Sequence, residues 1–393
     1  MPTQPIPKRI IESNPEMAVK KFNTLLIDGS NLMEVCFAAN KTVNTEGEEI
    51  GAIFSFLLQI KLLLRKGNFK YVYCFMDGQN SGVLRNNQVP DYKQNRDKTY
   101  DESELSDYAK ALNEYMRYMR EKVYNKKKPS KTEDEKASFF RQREILIQCL
   151  DELFIRVLEA DGTEADDFIG YYVTHKKPEE RIVIVSNDRD LTQLISEDVI
   201  VYVQSMKDFV NTKNHREKMG YDYHNVLLKK VICGDTSDNI KGIKGVGETT
   251  LFKNFPEIKE REVTLDEVIN KARLINEERA KEKKKPLKWA ENIVNKVTDG
   301  CQGERVYELN EKIINLKDPL MPDEAKQLLE DFMYAPLDPE GRSFDNLYRI
   351  LCEAGIDELK DERAFGNFFS EFNYLIDSEM KEWKKYLETS NEN

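Results

Sequence analysis

Short apolar runs that end in acids alternate with stretches of helical spacing over the first half of the chain. NTLLID (23–28), KYVYCFMD (70–77), FIRVLE (154–159), RIVIVSNDRD (181–190) and VIVYVQ (199–204) read as strands. Between the first two, GAIFSFLLQIKLLLRKG (51–67) has the length and apolar spacing of a helix. Strands separated by helices pair in a mainly parallel sheet covered on both faces. The pattern predicts a three-layer α/β catalytic domain over 23–220, after a loose polar tail at 1–22 and before a helical C-terminal domain at 221–393.

In open sheets of this class the ligand site lies beyond the carboxyl ends of the strands. Asp28, Asp77, the group Glu164, Asp166 and Asp167, and the pair Asp188 and Asp190 all fall at that edge. For DGTEADD (161–167) alone, a helix start explains the acids, because free N–H groups and the macrodipole favour negative charge there. Four strand ends delivering acids to one edge need more, since like charges a few ångströms apart destabilise the fold unless a cation sits among them. The expectation is a divalent-metal site held by oxygen ligands, with two ions about 4 Å apart suited to in-line displacement at phosphorus.

Composition narrows this reading. The chain has 393 residues, 40% hydrophobic and 33% charged, which fits a globular protein of about two domains. No apolar run approaches the roughly 18 residues of a membrane span, and the first residues lack a signal-peptide core, so a cytoplasmic protein without membrane contact is expected. Six cysteines lie far apart without a CxxC pair, and His175, His215 and His224 stand in polar sequence without ligand spacing. The net charge of −11 conceals basic segments. Residues 110–145 hold eleven Lys and Arg against six acids, and 275–290 hold six against three. A negative centre with positive flanks suits a metal-dependent enzyme acting on a polyanion.

The insertion at 81–150 is too long for a connection and too charged for a core. It starts at the acid edge, where Lys93 and Arg96 of YKQNR are placed to reach a phosphate and Tyr92 to stack a base. Further on, GDTSDNIKGIKGVGETT carries Asp235 and Asp238 at the end of an apolar helix, then Gly242, Gly245 and Gly247 in a turn that lets backbone approach a phosphate.

LLIDGSNL, CFMDG, PDYKQNR, EADDFIG, SNDRDLTQL and GDTSDNIKGIKGVG, in this order, resemble the 5′-nuclease superfamily of flap endonucleases and 5′-3′ exonucleases. A closer resemblance, to the ribonuclease H of T-even-type phages, rests on MDGQNSGVLRNNQVPDYKQNRDKTYDES. The resemblance implies a PIN-like sheet domain with a helical arch at 81–150 and a helix-hairpin-helix element at 231–255. It assigns Asp28, Asp77, Glu164 and Asp166 to a first metal, and Asp167, Asp188, Asp190, Asp235 and Asp238 to a second or its surroundings. It sets Lys93 and Arg96 on the scissile phosphate, gives Lys126, Lys127 and Lys128 to the arch, and Gly242, Gly245 and Gly247 to the duplex. The implied cofactors are two Mg²⁺ ions, with Mn²⁺ as substitute and K⁺ at the helix-hairpin-helix element. The implied function is structure-specific 5′-3′ hydrolysis of duplex DNA or RNA/DNA hybrid bearing a 5′ end or flap, removing RNA primers in phage replication. A monomer is expected, with a sliding clamp and single-strand-binding protein as further partners. Phe365, Phe368 and Phe369 only loosely resemble a clamp-binding cluster and are expected to be buried.

Overall fold

The computed structural model describes residues 21–94 and 132–390. Strands β1 (Thr24–Asp28), β2 (Tyr71–Phe75), β3 (Arg156–Leu158), β4 (Ile182–Val185), β5 (Val199–Val203) and β6 (Asp208–Val210) form one sheet in the order β3-β2-β1-β4-β5-β6. The first five are parallel and β6 adds an antiparallel edge. The apolar run in DFV was too short to announce that strand. Strand order reverses beside β1, with β2 and β3 to one side and β4 to β6 to the other, which opens a crevice at the carboxyl ends of β1 and β4.

Alternation along the strands feeds two cores. Leu25, Ile27, Val72 and Cys74 face helices α1 (Gly29–Ala39) and α2 (Gly51–Leu64), while Leu26, Tyr73 and Phe75 pack with Phe168 and Tyr172 of α5 (Ala165–His175). Helix α3 (Val83–Gln88) follows β2, and α4 (Glu133–Glu152) runs from a capping box of Thr132 and Glu135 back to β3.

The segment expected as one helical domain, 221–393, divides in its packing. Helices α6 (Val226–Cys233), α7 (Glu248–Asn254), α8 (Leu265–Lys281), α9 (Lys288–Val294) and α10 (Val306–Ile314) gather mostly around a core of their own that includes Ile232, Leu251, Phe255 and Ile293. The chain then returns to the sheet. Helix α11 (Asp323–Phe332) sets Ala325 and Leu329 into the α5 core, whereas α12 (Phe344–Glu353), α13 (Glu362–Phe369) and α14 (Asn373–Ser390) join the α1–α2 core.

The sequence of α2 explains the return. GAIFSFLLQIKLLL is apolar around most of its circumference, so it needs cover on the side away from the sheet. Phe365, Phe368 and Phe369 are buried there, with the Phe368 ring 5.5 Å from Phe54. At the outer strand, Arg156 of β3 forms a bidentate pair with Glu379 of α14 at 2.5 and 2.8 Å, both side chains 1% exposed. No helix among the described residues is long and apolar enough to cross a membrane.

Candidate active site

Two Asp-Gly pairs set the geometry. Asp28 ends β1 and caps α1, accepting from the Asn31 amide at 3.0 Å and the Ser186 hydroxyl at 2.7 Å. Asp77 follows β2 and accepts from the Ala165 amide at 2.8 Å, while its own N–H donates to the Ser30 hydroxyl at 2.8 Å. A Cβ on Gly78 would lie 1.7 Å from the Ala160 carbonyl oxygen. Only glycine there lets the β3–α5 loop close over the end of β2 and carry Glu164 and Asp166 to Asp77.

Asp28, Asp77, Glu164, Asp166 and Asp188 line one cleft of about 890 Å³, together with Lys93 and with Lys136, Phe140 and Arg143 of α4. Asp166, Asp190, Asp235 and Asp238 line a second, much smaller void of about 10 Å³ beside Arg85, which is room for about one water molecule. Asp166 belongs to both. Its Oδ1 is buried without a hydrogen-bond partner, and burial together with Asp167 and Glu164 raises its pKa well above the ordinary range. An orphaned carboxylate oxygen among converging carboxylates is a fitting cation ligand. Glu164, Asp166 and Asp167 each place one oxygen within 4.8 Å of the others.

Two ammonium groups moderate this charge. Lys93 has a left-handed backbone (φ 48°), its amide donating to the Asp238 carbonyl at 2.7 Å. That turn aims the side chain at Glu164, which it reaches at 2.7 Å. Burial opposes ionisation of Glu164, but Lys93 and Arg85 more than offset it and hold its pKa well below the ordinary range. Lys230 of α6 lies between Asp190 and Asp235, 2.5 Å from the latter. Burial again opposes, yet Lys230 and Ser237 hold Asp235 down at about 2. Asp28 has no cation beside it among the described residues, and burial with the neighbouring Asp77 and Asp188 carboxylates pushes it up to about 7.

The predicted residues therefore have different fates. Asp167 is fully buried and paired with Arg85 at 2.7 and 2.5 Å, while one of its oxygens stays within 4.8 Å of Glu164 and Asp166. Tyr92 cannot stack a base as expected. Its ring is 3% exposed, packed with Val89, Ile240 and Leu309, and its hydroxyl donates to Glu164 at 2.7 Å. Gly242 is required by packing, since a Cβ would lie 2.2 Å from the Cys233 carbonyl carbon. Gly245 is required by its φ of 76°, whereas a Cβ on Gly247 would meet nothing within 4 Å. Arg96, Lys126, Lys127 and Lys128 lie outside the described residues. His215, expected in polar surroundings, is buried and bonded to the Tyr221 carbonyl at 3.0 Å.

Arg85 and Lys230 were missed. LKKVICGD belongs to a segment that reads as an apolar helix and VLRNNQ to the insertion, and only the fold brings their cations to the acids. The one local hint is that Lys230 stands five residues before Asp235 on the helix leading into it.

Residues 23–220 match the model of the 5′-3′ exonuclease N-terminal resolvase-like domain. The chain is 36% identical over 124 residues to DNA polymerase I of Caldicellulosiruptor bescii, covering 29% of this chain and 15% of the polymerase. It is 28% identical over 247 residues to the 5′-3′ exonuclease of Buchnera aphidicola subsp. Schizaphis graminum, 61% of this chain and 73% of the relative. Against the 5′-3′ exonuclease of Aquifex aeolicus it is 26% identical over 309 residues, 78% and 90% of the two chains. The fold is similar to that of the T5 5′-exonuclease with bound zinc (TM-score 0.52, 18% identity, 84% of this chain and 98% of the other). It is likewise similar to a bacteriophage T5 flap endonuclease in complex with DNA and metal ions (TM-score 0.52, 18% identity, 85% and 99%).

Proposed function

Because the chain belongs to the 5′-3′ exonuclease family through its N-terminal resolvase-like domain, we propose that it hydrolyses phosphodiesters near 5′ ends, at junctions of single and double strands. The observation that carries this reading is Asp166, whose unpartnered buried oxygen lies where two carboxylate-lined hollows meet. Asp28, Asp77, Glu164, Asp166 and Asp188 are the residues to hold one Mg²⁺, and Asp190, Asp235 and Asp238, sharing Asp166, the other. Bound there, such ions polarise phosphate oxygens and lower the pKa of water at neutral pH.

The chain's own groups do the rest. Lys93, fixed by its left-handed turn and by Glu164, presents an ammonium at the cleft that stabilises charge growing on the scissile phosphate. Arg85 pairs with both Asp167 and Glu164 and holds them in place, so the carboxylates stay oriented before substrate arrives. Lys136 and Arg143, paired with Glu133 and Glu159, also line the cleft. The substrate class is duplex DNA or RNA/DNA hybrid with a 5′ end or flap, and removal of RNA primers during replication is the role that fits the sequence resemblance.

Cleavage of 5′-labelled flap, nicked and RNA-primed duplexes with Mg²⁺ tests this. Short 5′ products from flap and primed substrates, abolished by chelation, are expected. Metal-dependent binding without any product would replace the reading with that of a branched-DNA binding module.

A further inference from the structure

The lysine-rich stretch near 279–288 has no part in the site so far. It forms the tip of a hairpin between α8 and α9, with Arg279, Lys281, Lys283, Lys284, Lys285 and Lys288; Lys284 is paired with Glu282 and Lys288 with Glu291. All five lysines of the tip are exposed. Exposed lysines on a frayed helix end would signify little, but this tip is built. Lys283 takes a left-handed backbone (φ 55°), an uncommon conformation for a side-chain-bearing residue. The Lys284 amide donates to the Arg279 carbonyl at 2.8 Å, and the Arg279 guanidinium donates to the Lys285 carbonyl at 2.8 Å. Asn276 closes the hairpin by pairing with both the N–H and the carbonyl of Leu287, at 2.7 and 3.2 Å.

The far end of α9 is fastened to the glycine loop. Asn292 donates to the Lys244 carbonyl at 2.8 Å, and the Lys244 amide donates to the Val297 carbonyl at 2.8 Å. Ala290 and Ile293 of α9 share one hydrophobic cluster with Leu251 of α7, the helix that follows the loop, and with Phe255 just after it. The end of α9 remote from the tip is therefore tied to the glycine loop at Lys244, and α9 separates the two. Seven helical residues span roughly 10 Å, which is about three base-pair steps of a duplex.

We propose that the tip at 281–288 is a second duplex-backbone contact, binding phosphates about three base pairs along from those met at the Gly245–Gly247 loop. This rests on the duplex-junction reading given above. The occupant is double-stranded nucleic acid rather than an acidic protein, because positive charge at a fixed spacing from an open glycine loop matches a polyanion that itself repeats at fixed spacing.

The test is binding without divalent ions, so that no strand is cut. Duplex and single-strand affinities are measured across a salt series for wild type, for a tip variant (Lys283→Asn, Lys284→Gln, Lys285→Gln) and for Gly247→Ala. For the tip variant, the slope of log affinity against log salt should shrink by roughly two to three units on duplex, at about 0.9 per lost contact, with affinity near 0.1 M salt falling about 10²-fold. Single-strand binding should stay within twofold. As the duplex arm is shortened stepwise, the tip's contribution should vanish about three base pairs before that of Gly247. An unchanged slope on duplex overturns the proposal, as does an equal loss on both substrates, which would mark a mere polycation patch. An unchanged unfolding temperature of the tip variant separates a lost contact from a damaged hairpin. Wild type that binds duplex in this tip-dependent way but cuts nothing with Mg²⁺ would sink the nuclease reading and leave the contact standing. Wild type that cuts flaps while the tip variant binds normally would do the reverse.

Discussion

Lys93 and Lys230 each neutralise buried carboxylates at the same sheet edge, yet they are placed for different work. The Lys93 side chain is 24% exposed, lines the wide cleft and, among the described residues, has one carboxylate partner within ion-pair distance, Glu164. Lys230 is 14% exposed and bridges Asp190 and Asp235, two carboxylates that border the water-sized void. A cation with one partner and an open side can turn to an incoming phosphate. One saturated on both sides holds the acids together until a metal takes over that task. Equal charge in one neighbourhood thus divides into a group that meets substrate and a group that keeps the site intact.

The most damaging change should be at the point both hollows share. Asp166→Asn is expected to lower single-turnover cleavage by about 10³-fold or more while duplex affinity without metal stays within a few-fold; near-normal turnover would remove Asp166 from the centre. Lys93→Ala should cost roughly 10² to 10³ in rate at saturation with little change in dissociation constant. If it lost affinity and cleaved normally, Lys93 would be an ordinary phosphate contact.

Lys230→Met should behave in the opposite way. Breaking a buried pair from one side costs roughly 3–5 kcal/mol, so its metal-free unfolding temperature should drop, with Mg²⁺ restoring much of the loss. A drop that Mg²⁺ leaves untouched would show that no cation replaces the ammonium.

The Asp28 carboxyl, pushed up from 3.8 to about 7, gives a pH test. Between those values the folded chain binds a proton that the unfolded chain does not, so this group's stabilisation is present below about pH 4 and lost as pH rises to 7. The loss is up to about 4 kcal/mol without metal. Calorimetry should therefore find a larger Mg²⁺-induced rise in unfolding temperature at pH 8 than at pH 5, with Asp28→Asn flattening the difference. The smallest effect belongs to Gly247→Ala. With open space for the new methyl, it should leave stability unchanged and weaken duplex binding only several-fold; a destabilised fold would mean that the glycine serves packing after all.

Asp28, Asp77, the 164–167 group and the 188–190 pair were legible in the sequence because each follows a strand, and parallel strands put all such ends on one edge. Their cationic partners were not, since Arg85 meets Asp167 from 82 positions away and no local pattern encodes that pairing. Tyr92 shows the limit of reading residue types. An aromatic beside two basic residues looks like a stacking platform, and only Val89, Ile240 and Leu309 around it reveal a buried anchor for Glu164. The phenylalanines of α13 could be read as buried, but not that they cover α2, because the chain leaves the sheet for a whole helical module before coming back.

That late return ties the sheet to the far end of the chain. Arg156 is drawn into the sheet's outer strand with a fully buried guanidinium whose counter-charge, Glu379, emerges from the ribosome more than two hundred residues later. Without α14 a folded β3 would hold that guanidinium without its carboxylate. A chain truncated before α14 should therefore unfold at a lower temperature and be a poor nuclease even with every acid in place, which calorimetry and a cleavage assay on the truncated chain would check.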